Sequence, residues 1–171
     1  MRNIVKIGLV CGVSLLASCG QQVAPSAATT LSAQDIQTPT GPNCTRTIGY
    51  WKNHPQQLAA LLPVQLGKFG GSKSLLVDNV AQATQLLTFK GNASNGIVKL
   101  YAQLLASKLG AFGGTDISSI QDTVTQADAF LAQHNAADWS GLSASQQAQV
   151  LSWMTTLDRY NNGLVGPSHC Q

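Results

Sequence analysis

Four cysteines, at positions 11, 19, 44 and 170, constrain this chain more than any other feature. Cys11 and Cys19 lie at the start, whereas Cys44 and Cys170 bracket most of the rest of the chain. The opening "MRNIVK" supplies Arg2 and Lys6 as a positive segment. The next stretch, "IGLVCGVSLLAS", is an apolar run too short to span a bilayer as a mature helix. A basic start followed by such a run reads as a signal-peptide core, and Cys11 lies inside it.

The run ends in "LASCG", with the small residues Ala17 and Ser18 directly before Cys19. That ending is similar to the lipobox of bacterial lipoproteins. The resemblance implies that residues 1–18 are a signal peptide, that cleavage precedes Cys19, and that Cys19 is acylated, with palmitate among the chains expected. The alternative is an ordinary signal peptide with a chance cysteine. The expected product is a secreted, extracytoplasmic protein anchored to a bacterial membrane, on its periplasmic side or at the cell surface, with membrane lipid as its first partner.

Removing Arg2 and Lys6 leaves eight basic residues against seven Asp and no Glu, a formal charge of +1. No Lys/Arg cluster survives, so the electrostatic footprint of a nucleic-acid binder is missing and no nucleic acid is expected as a partner. Cys44 and Cys170 are an even pair in an oxidising compartment, which reads as a disulfide, with two free thiols as the alternative. Such a bond closes a loop of about 127 residues, and the chain-entropy estimate for that loop is roughly 4–5 kcal/mol.

Residues 19–42 contain "GQQVAPSAATTLSAQDIQTPTGP", with no aromatic and almost no charge, and read as the lipidated Cys19 followed by a tether. Random-coil scaling gives that tether a reach of about 25–30 Å. A single globular domain, residues 43–171, comes next. Its periodicity is helical. His54 fits as an N-cap before Pro55, with Leu58, Leu61 and Leu62 on one face. "SKSLLVDNVAQATQLLTF" places Leu76, Val80, Ala83 and Leu87 on a stripe. "NGIVKLYAQLLASKLGAF" does so with Ile97, Leu100, Tyr101, Leu104 and Leu105, with Gly110 just past its end. A fourth stripe carries Ile117, Ile120, Val124, Ala127 and Leu131. The last opens on a capping box, Ser143 and Gln146, and runs through Val150, Trp153, Met154, Leu157 and Tyr160 to Gly163. Val64 to Phe69 is the one strand-like piece. The expectation is an all-α domain of four to five helices closed by an N-to-C-terminal disulfide.

Catalytic patterns are thin. "GKFGGSKS", Gly67 to Ser74, approaches a phosphate-cradling loop, but Ser72 stands where the second glycine belongs, and a glycine turn entering a helix explains it better. There is no G-x-S-x-G elbow. Asp78, Asp116, Asp122, Asp128, Asp138 and Asp158 are scattered, with Asp116 read as a helix cap and Asp122 and Asp128 as solvent-facing. No catalytic residue, cofactor or metal is therefore assigned. If the disulfide forms, it draws His54 and His169 toward the same end of the domain, where capping or backbone hydrogen bonding is their expected role. His134, after a helix, is read as a favourable contact with that helix's dipole.

The stretch "CTRTIGYWKNHP" and the closing "LDRYNNGLVGPSHC" resemble the two signature ends of a family of secreted bacterial domains. That family carries G-Y-W-K-N-H-P near its N-terminus and Y-N-N-G-x-x-G-P-x-H-C at its C-terminus, around a helical middle. The matching positions are Cys44, Gly49, Tyr50, Trp51, Lys52, Asn53, His54 and Pro55, then Tyr160, Asn161, Asn162, Gly163, Gly166, Pro167, His169 and Cys170. The resemblance implies an envelope location and one shared fold, with no established reaction. Leu58 stands where relatives often have a second Trp, and Ser168 where a glycine usually precedes the last His.

The physical reading of these ends is a clasp. Gly163, Gly166 and Pro167 turn the chain back, and Asn161 and Asn162 satisfy carbonyls at the helix end. Trp51 is large enough to cover the disulfide, and its indole N–H needs a partner if buried. Tyr50, Trp51, Lys52, Asn53, His54, Tyr160, Asn161, Asn162 and His169 are the candidate binding residues. Two functions are carried forward. The first is a non-catalytic binding or structural module of the envelope, its partner an envelope protein or cell-wall glycan. The second is an envelope enzyme, a metal-assisted hydrolase built on His54, His169 and Asp158 with Lys52 and Tyr50 nearby.

Overall fold

The structure, a computed structural model, describes residues 42–90 and 92–171. The signal peptide, Cys19 and all of the tether except Pro42 lie outside the described residues.

Helix α4 (Gly96–Phe112) is the centre of the domain. Its sequence, GIVKLYAQLLASKLGAF, carries charge only at Lys99 and Lys108, and it is buried on almost every side, from Ile97 and Leu100 through Leu104 and Leu105 to Leu109. A helix that is apolar all round has to be enclosed by its neighbours. Asn95 starts it, its side-chain oxygen accepting from the backbone N–H groups of Ile97 and Val98 at 2.9 and 3.2 Å. The helix does not stop at Gly110, as the sequence suggested. Gly110 is buried within it, and the chain turns away only at Gly113 and Gly114, the latter at φ +98°.

Around α4 the chain arranges α1 (Ile48–Asn53), α2 (Pro55–Ala60), α3 (Val80–Leu87), α5 (Gln121–Leu131) and α6 (Ala144–Asn161), with 3-10 turns at Ser118–Ile120 and Ala136–Gly141. Ser143 and Gln146 form the expected capping box on α6, and Val150, Leu157 and Tyr160 face the core. Helix α5 buries Val124, Ala127 and Leu131. Pro55 sits at the first position of α2 and His54 at its cap, as read from the sequence. The helix just before it, α1, was not foreseen.

The fold is mostly helical but not all-α. Strands β1 (Val64–Leu66) and β2 (Leu75–Val77) pair antiparallel, with Val64 opposite Val77 and Leu66 opposite Leu75. The segment read as one helix from Ser72 to Phe89 is thus a strand followed by the shorter α3, which begins at the cap Asn79. Leu76, placed on the helical stripe, is exposed on β2, because alternation in a strand turns it away from its neighbours Leu75 and Val77. The glycine turn Gly67–Ser74 accordingly joins two strands instead of entering a helix. Ser74 Oγ donates to the Lys68 carbonyl at 2.7 Å, and Lys73 N donates to the Ala132 carbonyl at 3.2 Å, which braces the loop. Lys73 also bonds Asp138 through both carboxylate oxygens, at 2.6 and 2.7 Å.

Asp128 is not solvent-facing. Its Oδ2 lies 2.6 Å from Lys108 Nζ, and its Oδ1 accepts from Gly67 N at 2.8 Å, tying α5 to α4 and to the end of β1. Asp116 does act as a local cap, accepting from the backbone N–H and hydroxyl of Ser118 at 2.8 and 2.9 Å.

Candidate functional site

Cys44 and Cys170 are disulfide-bonded, with their Cα atoms 5.0 Å apart. Beside the bond the two chain ends form a short parallel bridge between Thr45 and His169. Thr45 N donates to the Ser168 carbonyl at 2.9 Å, and Cys170 N donates to the Thr45 carbonyl at 3.0 Å. The turn after α4 locks onto the same place. Thr115 Oγ1 donates to the Cys44 carbonyl at 2.8 Å, and Asp116 N donates to Asn43 Oδ1 at 2.9 Å. Tyr160 Oη closes the circuit by donating to the Asp116 carbonyl at 2.9 Å. The clasp is therefore a lattice of backbone and side-chain hydrogen bonds with a covalent bond at its edge.

Gly163 and Gly166 are what let the last segment fold back into this lattice. Both have positive φ, +69° and +74°, where side chains are disfavoured. At Gly163 a Cβ would also collide with the backbone nitrogen of His169.

The candidate residues separate into two groups. Tyr160 and Asn161 are buried. Burial, with a smaller contribution from the Asp116 carboxylate, pushes the Tyr160 phenol up to about 12. Asn161 does not cap its own helix. Its Nδ2 donates to the carbonyl and to Oε1 of Gln103 on α4, at 3.0 and 2.8 Å. Asn162 does what was expected of the pair, donating to the Asp158 carbonyl at 2.8 Å. His169 is exposed in the bridge, and Asp158 accepts from Gln103 Nε2 at 2.7 Å. Among the described residues, no group of three or more His, Cys or Asp side chains is placed to hold a metal ion.

The N-terminal residues lie on α1. Thr47 caps it, its hydroxyl oxygen accepting from Tyr50 N at 3.1 Å. His54 lies at the junction of α1 and α2 and bonds back along α1, its Nδ1 2.7 Å from the Tyr50 carbonyl. A carbonyl only accepts, so the proton sits on Nδ1 and, in the neutral ring, Nε2 keeps its lone pair. The imidazole stacks on the Tyr50 ring with centroids 3.9 Å apart. Lys52 and Asn53 are exposed. Trp51 is 2% exposed and belongs to the core cluster.

Arg46, which the sequence reading passed over, completes the arrangement. Its guanidinium carbon lies 4.7 Å from the Tyr50 ring centroid and 6.0 Å from that of Trp51. Arg46, Tyr50, Trp51, Ala60 and Leu61 line a cleft of about 240 Å³, with Gln57 also in its wall. Among the described residues, two buried side-chain polar atoms have no hydrogen-bond partner, Arg46 Nε and Trp51 Nε1, and both residues line this cleft. Leaving a buried donor unsatisfied costs about 1–3 kcal/mol, so their coincidence at one place calls for a reason.

Two other clefts are chemically plainer. One, of about 540 Å³, runs along the outer face of α6 past Leu151, Thr155 and Arg159. The other, of about 410 Å³, lies by His134 and Asp138. The Lys73 ammonium already holds the Asp138 carboxyl below its ordinary range, with the Asn135 backbone N–H assisting. His134 stacks on Phe130, centroids 4.4 Å apart. No helix among the described residues is long and apolar enough to cross a membrane. Compared with protein-family models, with curated proteins and with solved structures, the chain matches none.

Proposed function

We propose that the protein is a membrane-anchored extracytoplasmic lipoprotein whose globular domain is a non-catalytic binding module of the cell envelope. The observation that carries this reading is the clasp. A disulfide and a ring of backbone and side-chain hydrogen bonds close the domain at its two signature ends, and the same N-terminal motif lines a cleft whose residues include unpartnered donors. A disulfide is at home in an oxidising compartment. The acylation of Cys19 and the tether supply the anchor in this reading.

The residues of the metal-assisted alternative are partly engaged elsewhere, although the His169 side chain is exposed. His54 Nδ1 is engaged with the Tyr50 carbonyl, Asp158 with Gln103 and Asn162, and the His169 backbone forms the bridge to Thr45. The test is metabolic labelling with palmitate followed by membrane fractionation and an elemental metal assay on the same chain. Label and membrane retention that both vanish in Cys19→Ser support the anchor. An unlabelled chain overturns it, and metal near one per chain that is lost in His54→Ala restores the hydrolase.

A further inference from the structure

We infer that the cleft beside α1 binds a small anionic oxygen group, a carboxylate or phosphate, carried on a short apolar body or at the end of a longer chain. The inference rests on the binding-module reading above and names the ligand class for it.

The recognition chemistry comes from the donors present. Arginine is a donor only, so whatever the Arg46 guanidinium meets in the cleft must present acceptors. The ion pairs among the described residues are Lys73–Asp138 and Lys108–Asp128, and neither involves Arg46. Among the described residues, no acidic side chain lines the cleft to neutralise the guanidinium or repel an anion. A guanidinium over an aromatic face keeps its in-plane N–H groups for a planar or tetrahedral oxyanion.

The site is also preorganised. Tyr50 is held from beneath by its own helix, by the stacked His54 ring and by the 2.7 Å contact from His54 Nδ1 to its carbonyl. An Arg already stacked on a fixed ring loses less freedom on binding than one waving in solvent. Ala60 and Leu61 supply an apolar wall. At about 240 Å³ the cleft is smaller than the roughly 300–1,000 Å³ of ordinary ligand pockets, which suits a small molecule or a chain end.

A sugar platform fits less well. Stacking a pyranose needs an open aromatic face, yet Trp51 is in the core and the Tyr50 ring is shared between Arg46 and His54.

The experiment uses the oxidised full chain, ¹⁵N-labelled, and follows the Trp51 indole resonance during titration with hexanoate, hexyl phosphate and hexanol. Saturable movement is expected with an anionic probe, at least tenfold tighter than with hexanol. The tighter of the two anions identifies the head group. Arg46→Gln should weaken it at least tenfold, and Arg46→Lys, which keeps the charge but not the fork, should fall between. A far-ultraviolet spectrum confirms that each variant is folded. Equal binding of hexanol, an unmoved Trp51 resonance with all three probes, or unchanged affinity in a folded Arg46→Gln overturns the inference. Palmitate labelling that persists through such a failure leaves the envelope reading standing, so the two failures are separable.

Discussion

Asn161, the last residue of α6, donates from Nδ2 to both the backbone carbonyl and the side-chain oxygen of Gln103 on α4. Its own Oδ1 accepts from Ser107 Oγ at 3.0 Å, and Gln103 Nε2 reaches on to Asp158. Every member of this buried network has a partner, so it registers α4 and α6 against each other. A fully satisfied network is worth more than its isolated bonds, and breaking it strands several groups at once.

Asn161→Ala should therefore destabilise the domain by about 2–3 kcal/mol, since Gln103 Oε1 loses its donor without gaining water and Ser107 Oγ is left with the Gln103 carbonyl alone. Chemical denaturation of the variant measures this directly. A loss below about 0.5 kcal/mol, the scale of an ordinary surface change, would mean that α4 and α6 are registered by apolar packing alone.

The disulfide spans 126 residues of sequence, and the chain-entropy estimate for such a loop is about 4–5 kcal/mol. Reduction, or the double change Cys44→Ala with Cys170→Ala, should lower the melting temperature by more than about 10 °C. A variant that melts within a few degrees of the parent would assign the closure to the Thr45–Ser168 and Thr45–Cys170 backbone bonds instead.

Much of this was legible in advance, and the exceptions have a common cause. Helices α4 and α6 announce themselves because apolar residues recur over four or more turns behind the caps Asn95 and Ser143. Helix α1 is six residues long, too short for a period to accumulate. Leu75–Val77 is an apolar triplet whose strand character exists only in its pairing with Val64–Leu66. The disulfide could be read because two cysteines were left to pair. The role of Asp128 could not, because it depends on Gly67 and Lys108, brought in from distant sequence; Arg46 meets Tyr50 only four positions on, but the cleft beside it exists only once Ala60 and Leu61 supply its wall.

The Lys108–Asp128 pair tests that point. Both side chains are about one-sixth exposed, at 15% and 17%, and Lys108 also donates to the Gln65 carbonyl at 2.6 Å. Removing one partner of a mostly buried pair leaves the other charge uncompensated, so Asp128→Ala should cost about 2–3 kcal/mol. Replacing both, Lys108→Met with Asp128→Leu, should return the stability to within about 1 kcal/mol of the parent. Equal loss in the single and double variants would show that the Asp128 bond to Gly67 N, and not the ion pair, is what matters.

Gly96 opens α4 directly beneath Trp139, and a Cβ there would run into the indole ring. Helix propensity alone favours Gly96→Ala by up to about 1 kcal/mol. The crowding should outweigh it, giving a net loss of about 1–2 kcal/mol and a shift in Trp139 fluorescence. A stabilised Gly96→Ala would mean that the turn Ala136–Gly141 yields freely.

The buried phenols should weaken the fold at alkaline pH. Tyr101 and Tyr160 are 5% and 1% exposed. Burial, aided by Asp138 and Asp116 respectively, pushes both from the ordinary 10.0 to about 12. The folded state holds these protons more tightly than the unfolded chain, so the stability tied to them is fully present below pH 10.0. It is lost as the pH rises from there through about 12. Absorbance at the phenolate band should therefore show two tyrosines ionising only as the far-ultraviolet signal collapses. Tyr160→Phe should remove part of that alkaline loss while lowering stability at neutral pH by about 1 kcal/mol, the net value of its bond to Asp116. Reversible ionisation of Tyr101 and Tyr160 near pH 10 in a chain that stays helical would show that water reaches Tyr160, and that the clasp opens without unfolding.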